Sequence, residues 1–131
     1  MTRIGFMSDL HLDSNQFGDF EQQTLRQLLK EEGVGHLHIA GDLSNDLNKI
    51  SLPFIEDLKK DFPISFNLGN HDMLGLSEQE ISNHDFQIQQ FGQTMLVSFS
   101  GWYDYSFVPE KSKEEHLRTK TNFWFDRRLK R

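Results

Sequence analysis

A chain of 131 residues is long enough for one domain with a modest core. It has no cysteine, which excludes disulfides and thiolate metal sites, and no apolar run near the roughly 18 residues of a membrane span. A net charge of −6 argues against nonspecific binding to a nucleic-acid backbone.

The first residues pass straight into an apolar run with no signal-peptide layout, so the expected location is cytoplasmic. Residues 1–7 read as a strand that leads into Ser8-Asp9-Leu10-His11. A helix follows, with Asp19 as N-cap, Gln22 reaching back, and Phe20, Leu25, Leu28 and Leu29 as its apolar face. Gly33 stops it. Residues 34–40 form a second strand with Leu37 and Ile39 on one face, His36 and His38 on the other, and Gly41-Asp42 at its end. A histidine within a strand is more often packed than ligating, so His38 is given no role.

Asp46 or Ser51 caps a second helix, with Pro53 in its first turn and Phe54, Ile55 and Leu58 facing inward. After Pro63, residues 64–68 form a third strand that ends in Gly69-Asn70-His71-Asp72. The β-α-β-α-β order predicts a parallel sheet with right-handed crossovers. Ser77-x-x-Glu80 is a capping box for a short helical turn. Two alternating runs, around Phe86 and Ile88 and around Met95, Val97 and Phe99, flank Phe91-Gly92-Gln93 as a hairpin. The aromatic loop Trp102-Tyr103-Asp104-Tyr105 reads as packing, and residues 110–121 as a charged, solvated loop or helix. The chain closes on Phe123-Trp124-Phe125 and the basic Arg127-Arg128-Leu129-Lys130-Arg131. Nothing divides it by repeat or linker, so residues 1–131 are expected to form a single domain.

Three predicted strands thus end in carboxylate, imidazole and amide groups, donors suited to a hard or borderline metal ion. Strand carboxyl ends are where open α/β sheets bind ligands. Asp9 and His11, two apart in extended chain, can reach one ion; equally, Asp9 could cap a turn beside a solvent-exposed His11. Asp42 has two oxygens with which to bridge two ions.

Taken together and in order, Asp9-x-His11, Gly41-Asp42 and Gly69-Asn70-His71-Asp72 resemble the calcineurin-like metallophosphoesterases, over most of residues 1–101. The resemblance implies the calcineurin-like α/β fold, the start of a mixed-sheet sandwich, and hydrolysis of phosphate mono- or diesters at a centre of two divalent ions. Manganese, iron and zinc all suit such ligands. It assigns Asp9, His11 and Asp42 to the first ion, Asp42 and Asn70 to the second, and His71 to protonation of the leaving group. Asp72 orients His71 or caps the next turn. Where the family pattern has a second Asp pairing with the catalytic His, this chain has Asn45, which puts that pairing in doubt.

The family pattern continues with a further His and a Gly-His-x-His block, and this chain has no Gly-His-x-His. His84 and His116, the remaining candidates, read as non-ligands. The chain therefore resembles the N-terminal half of such a domain, incomplete at its C-terminus and carrying part of the site. The alternative is a non-catalytic remnant that acts as a binding or assembly module. An uncovered sheet face is expected to be covered by Phe123, Trp124 and Phe125, either within the chain or in a second copy as a homodimer.

Overall fold

The central strand alternates histidine with apolar residues, and that alternation organises the fold around it. A computed structural model describes residues 2–101 and 110–123. Strands β1 (Ile4–Met7), β2 (His36–Ala40) and β3 (Ile64–Asn67) form a parallel sheet in the order β1-β2-β3. The register sets Met7 beside Ile39 and Ile39 beside Phe66, with Leu37 beside Ile64. This face packs against helices α1 (Asp19–Glu31) and α2 (Leu52–Leu58), forming a core of Leu29, Leu37, Ile39, Phe54, Ile55, Leu58 and Phe62. Ile39, Ile55 and Leu58 are completely buried, each contributing roughly 1.5–3 kcal/mol.

The caps follow the sequence with small shifts. Helix α1 takes Gly18, not Asp19, as its N-cap, and it is the Glu21 carboxylate, not Gln22, that reaches back to accept from the Gly18 N–H at 2.9 Å. Its predicted apolar face is also corrected. Leu25 and Leu29 face the core, but Phe20 and Leu28 are 76% and 52% exposed. The helix instead turns Gln22 and Arg26 towards α2. There Gln22 hydrogen-bonds the Asp57 carboxylate, and Arg26 pairs with Asp57 and Asp61. Gly33 closes the helix at φ +63°, a conformation that costs glycine little.

Of the two expected caps, Asp46 makes the hydrogen bond, while Ser51, at the N-cap position of α2, makes no side-chain cap bond. The Asp46 carboxylate accepts from the Lys49 N–H at 3.0 Å and opens a π-helical turn, Leu47–Ser51. That turn runs into α2, with Pro53 in the first turn of α2. The Ser77–Glu80 capping box opens α3 (Glu78–Ser82) as read from the sequence.

Strands β4 (Gln87–Phe91) and β5 (Thr94–Ser98) make the expected antiparallel hairpin, turning at Gly92. Its apolar set, Phe86, Ile88, Met95, Val97 and Phe99, is exposed. The opposite side reaches the parallel sheet: Gln87 donates to the Phe66 carbonyl at 2.7 Å, and the Phe91 ring meets His36 edge-on at 4.7 Å.

The second face of the parallel sheet carries the polar set His36, His38, Ser65 and Asn67 on β2 and β3, with Ile4 and Phe6 of β1 beside the histidines. The Ser65 hydroxyl lies 2.8 Å from His36 Nε2 and 2.8 Å from His38 Nδ1, and His38 Nε2 lies 3.0 Å from Asn67 Oδ1. Burial pushes both imidazoles below the usual histidine range; the neighbouring His38 adds to this for His36, while the Asn67 hydrogen bond opposes it for His38. As expected, both histidines are packed and hydrogen-bonded.

The chain divides into two compact units, Met1–Ser100 and Gly101–Arg131. In the second, the charged stretch is helix α4 (Lys113–Phe123), opened by a reciprocal Ser112–Glu115 pair at 2.8 and 3.2 Å. The aromatic cluster 102–105, Trp124, Phe125 and the basic tail lie outside the described residues. No helix among the described residues is long and apolar enough to cross a membrane.

Candidate metal centre

The loops that leave β1 and β2 run side by side and hold each other by backbone hydrogen bonds. Asp9 N–H donates to the Gly41 carbonyl and His11 N–H to the Asp42 carbonyl, both at 3.1 Å. Asp9, His11 and Asp42 have φ of +59°, +43° and +56°, three of the four non-glycine residues with positive φ among the described residues. Asp and His tolerate this left-handed region better than most side chains, yet it costs of order 1–3 kcal/mol at each residue. That strain gathers where the ligands were predicted.

The glycines of the second and third blocks have a steric reason. A Cβ on Gly41, whose φ is +84°, would lie 2.4 Å from the Gly69 nitrogen. One on Gly69 would lie 2.1 Å from Asp42 Oδ1. The two loops therefore cross backbone to backbone, and Asp42 fits against Gly69 only because no side chain is there.

Asp72 ties this crossing together. Its carboxylate is 2% exposed and accepts from the N–H groups of Asp42 (2.6 Å), Gly69 (3.0 Å), Leu43 (3.1 Å) and Ser44 (3.2 Å), and from the Ser51 hydroxyl (3.2 Å). Burial pushes the Asp72 carboxyl above its usual range, while these donors pull it down. Every one of those partners donates, so the anion is the form that satisfies them. Asp72 thus clamps the β2 loop to the β3 loop, a role different from both roles read from the sequence.

Within this frame, ligand atoms of His11, Asp42 and His71 lie within 4.8 Å of one another. The two imidazoles meet edge to face at 4.7 Å, and Asp42 Oδ1 accepts from the His71 backbone N–H at 3.0 Å. All three are half-buried. Two imidazole nitrogens and a carboxylate oxygen, without sulfur, fit manganese, iron or zinc. Asp9 is exposed beside this group and not a member of it, and Asn70 is half-buried on the turn that carries His71.

The doubted pairing is present. His71 Nδ1 lies 2.9 Å from Asn45 Oδ1, and Asn45 Nδ2 in turn donates to Asp13 Oδ2 at 2.9 Å. Burial tends to raise the Asp13 carboxyl, but hydrogen bonds from Asn45 and Ser14 outweigh it and hold it below its usual range. Sequence reasoning passed over Asp13; its signal was one more carboxylate in step with Asp9 and His11 along the same loop. His84 stacks near Phe66 at 5.2 Å and His116 lies on α4, both outside the cluster.

The family model described as calcineurin-like phosphoesterase matches residues 2–127. The chain belongs to that family. The match runs past Ser100 into the second unit of this phosphoesterase-family chain. Among solved structures, a protein of unknown function from Aquifex aeolicus is similar, at 17% identity over 92% of this chain and 73% of its own, with a TM-score of 0.39. No curated protein matches the chain.

Proposed function

We propose that this phosphoesterase-family chain carries the half-site of a dinuclear centre that hydrolyses phosphate mono- or diesters. What supports this reading is the meeting of His11, Asp42 and His71 at the ends of three adjacent parallel strands, in a chain of this family. Asp9, His11 and Asp42 would hold a first divalent ion of manganese, iron or zinc; Asp42 and Asn70 would hold a second. Such a pair, when bound, lowers the pKa of water and neutralises phosphoryl charge. Asp42 is suited to bridging because a carboxylate offers two oxygens, one of them fixed by the His71 N–H. His71 has Nδ1 engaged by Asn45, so Nε2 is the ring atom that would take up a proton and pass it to a leaving-group oxygen, a task that suits an imidazole.

The close approach of His71 to His11 and Asp42 favours a second reading, in which His71 is itself a ligand. Calorimetric titration with manganese, run beside hydrolysis of a generic phosphodiester, separates the two. As an acid, His71→Ala lowers turnover about 10²–10⁴-fold and leaves manganese affinity unchanged; as a ligand, it lowers both. Wild-type protein that neither binds manganese nor hydrolyses the ester leaves the binding or assembly module as the function.

A further inference from the structure

We infer that Asp13 is a positioning residue that acts through the Asn45 amide to hold His71 as its Nδ1–H tautomer. The argument is one of donors and acceptors. An asparagine amide has nearly the same shape in either orientation, so its direction must be set by its partners. Asp13 Oδ2 lies 2.9 Å from Asn45 Nδ2 and also receives the Asn45 backbone N–H at 3.1 Å. A carboxylate only accepts, so the NH₂ end of Asn45 must face Asp13.

The oxygen end is therefore the one 2.9 Å from His71 Nδ1. An amide oxygen also only accepts, so Nδ1 must carry the hydrogen, which in the neutral ring leaves the lone pair on Nε2. Asp13 is itself held, since Oδ1 takes the Ser14 N–H at 3.0 Å. Without Asp13, Asn45 can turn its NH₂ towards Nδ1 and impose the opposite tautomer. The ring would then keep its place while its chemistry reversed: Nε2 would carry a hydrogen and could not accept a proton or a metal. Asp13 is exposed, so truncating it opens no cavity in the core.

The test is nitrogen-15 NMR of the histidine rings in the full chain, in chelator-treated buffer above the histidine titration range. His71→Gln identifies the His71 signals among the six histidines. Wild type should show His71 as Nδ1–H. Asp13→Ala should shift it towards Nε2–H, while Asp13→Asn, whose side-chain oxygen still accepts from Asn45, should keep the wild-type pattern. Unmoved His36 and His38 signals establish that both variants are folded. A wild-type ring found as Nε2–H, or an Nδ1–H tautomer that survives Asp13→Ala, overturns the inference.

A kinetic arm rests on the phosphoesterase reading. There Asp13→Ala should lower kcat about 10–100-fold at unchanged KM, with Asp13→Asn close to wild type. Absence of wild-type turnover removes the phosphoesterase reading alone, because the NMR arm still decides the tautomer.

Discussion

The Asp72 carboxylate and the His36 and His38 imidazoles are both buried against the same three strands, and their surroundings are opposite. Asp72 sits at the strand ends and takes five donors, four of them backbone N–H groups. The imidazoles lie on a sheet face and share one serine hydroxyl and one amide. Backbone donors cannot rotate away, so the first arrangement fixes a charge and two loops in place. A hydroxyl and a ring can each donate or accept, so the second carries no required charge and stays neutral through burial. The clamp is found at the loops that carry the candidate ligands, and the neutral network where the two sheets touch.

Removing the clamp is the largest expected break in this comparison. Asp72→Ala leaves four N–H groups without their acceptor, each costing about 1–3 kcal/mol when buried. A loss of about 4 kcal/mol or more in urea-unfolding stability is expected, with Asp72→Asn intermediate because its NH₂ meets donors. A change within about 0.5 kcal/mol, as for a surface substitution, would show that the clamp holds nothing.

On the neutral side, Ser65→Ala removes the hydroxyl shared by two buried rings. The expected loss is about 1–3 kcal/mol, smaller than for Asp72 because imidazoles can reorient their tautomers. Stability equal to wild type would mean that water or another group replaces the hydroxyl fully.

The pH response sharpens the contrast further. Both histidines have folded pKa values below the ordinary 6.5. Below pH 6.5 the unfolded chain therefore binds more protons than the folded one, and stability falls as pH drops; above it the contribution is complete. Each ring contributes a slope of at most about 1.4 kcal/mol per pH unit. Denaturation curves at successive pH values, compared with a His36→Gln/His38→Gln variant, should show the steeper slope in wild type; parallel slopes would exclude the rings as its source.

Much of this could be read from the chain. The three strand ends, their glycine blocks, the split of β2 into an apolar and a histidine face, and the capping box at Ser77 are local patterns, and local patterns survive folding. What escaped depends on contacts between distant segments. Phe20 and Leu28 fit a helical stripe, but α1 turns Gln22 and Arg26 to the Asp57 and Asp61 carboxylates of the neighbouring segment, and a periodicity does not show charges thirty or more residues away. The exposure of Phe86, Ile88 and Met95 follows from the polar sheet face opposite; nothing within the hairpin sequence says which of its sides meets histidines. At the site, the roles of Asp72 and Asp13 escaped because each acts across loops: Asp72 on residues 42–44 and 51 as well as Gly69, and Asp13 on Asn45.

The meeting of Gly41 and Gly69 has a thermodynamic consequence. Two stretches of backbone that touch with no side chain between them have no rotamers to freeze, and their φ and ψ are fixed once the sheet forms. The conformational entropy lost in bringing Asp42 beside His71 is thus lost during folding, where the whole core offsets it. Little of that ordering would remain to be lost on association at these loops, which would then keep most of its favourable free energy.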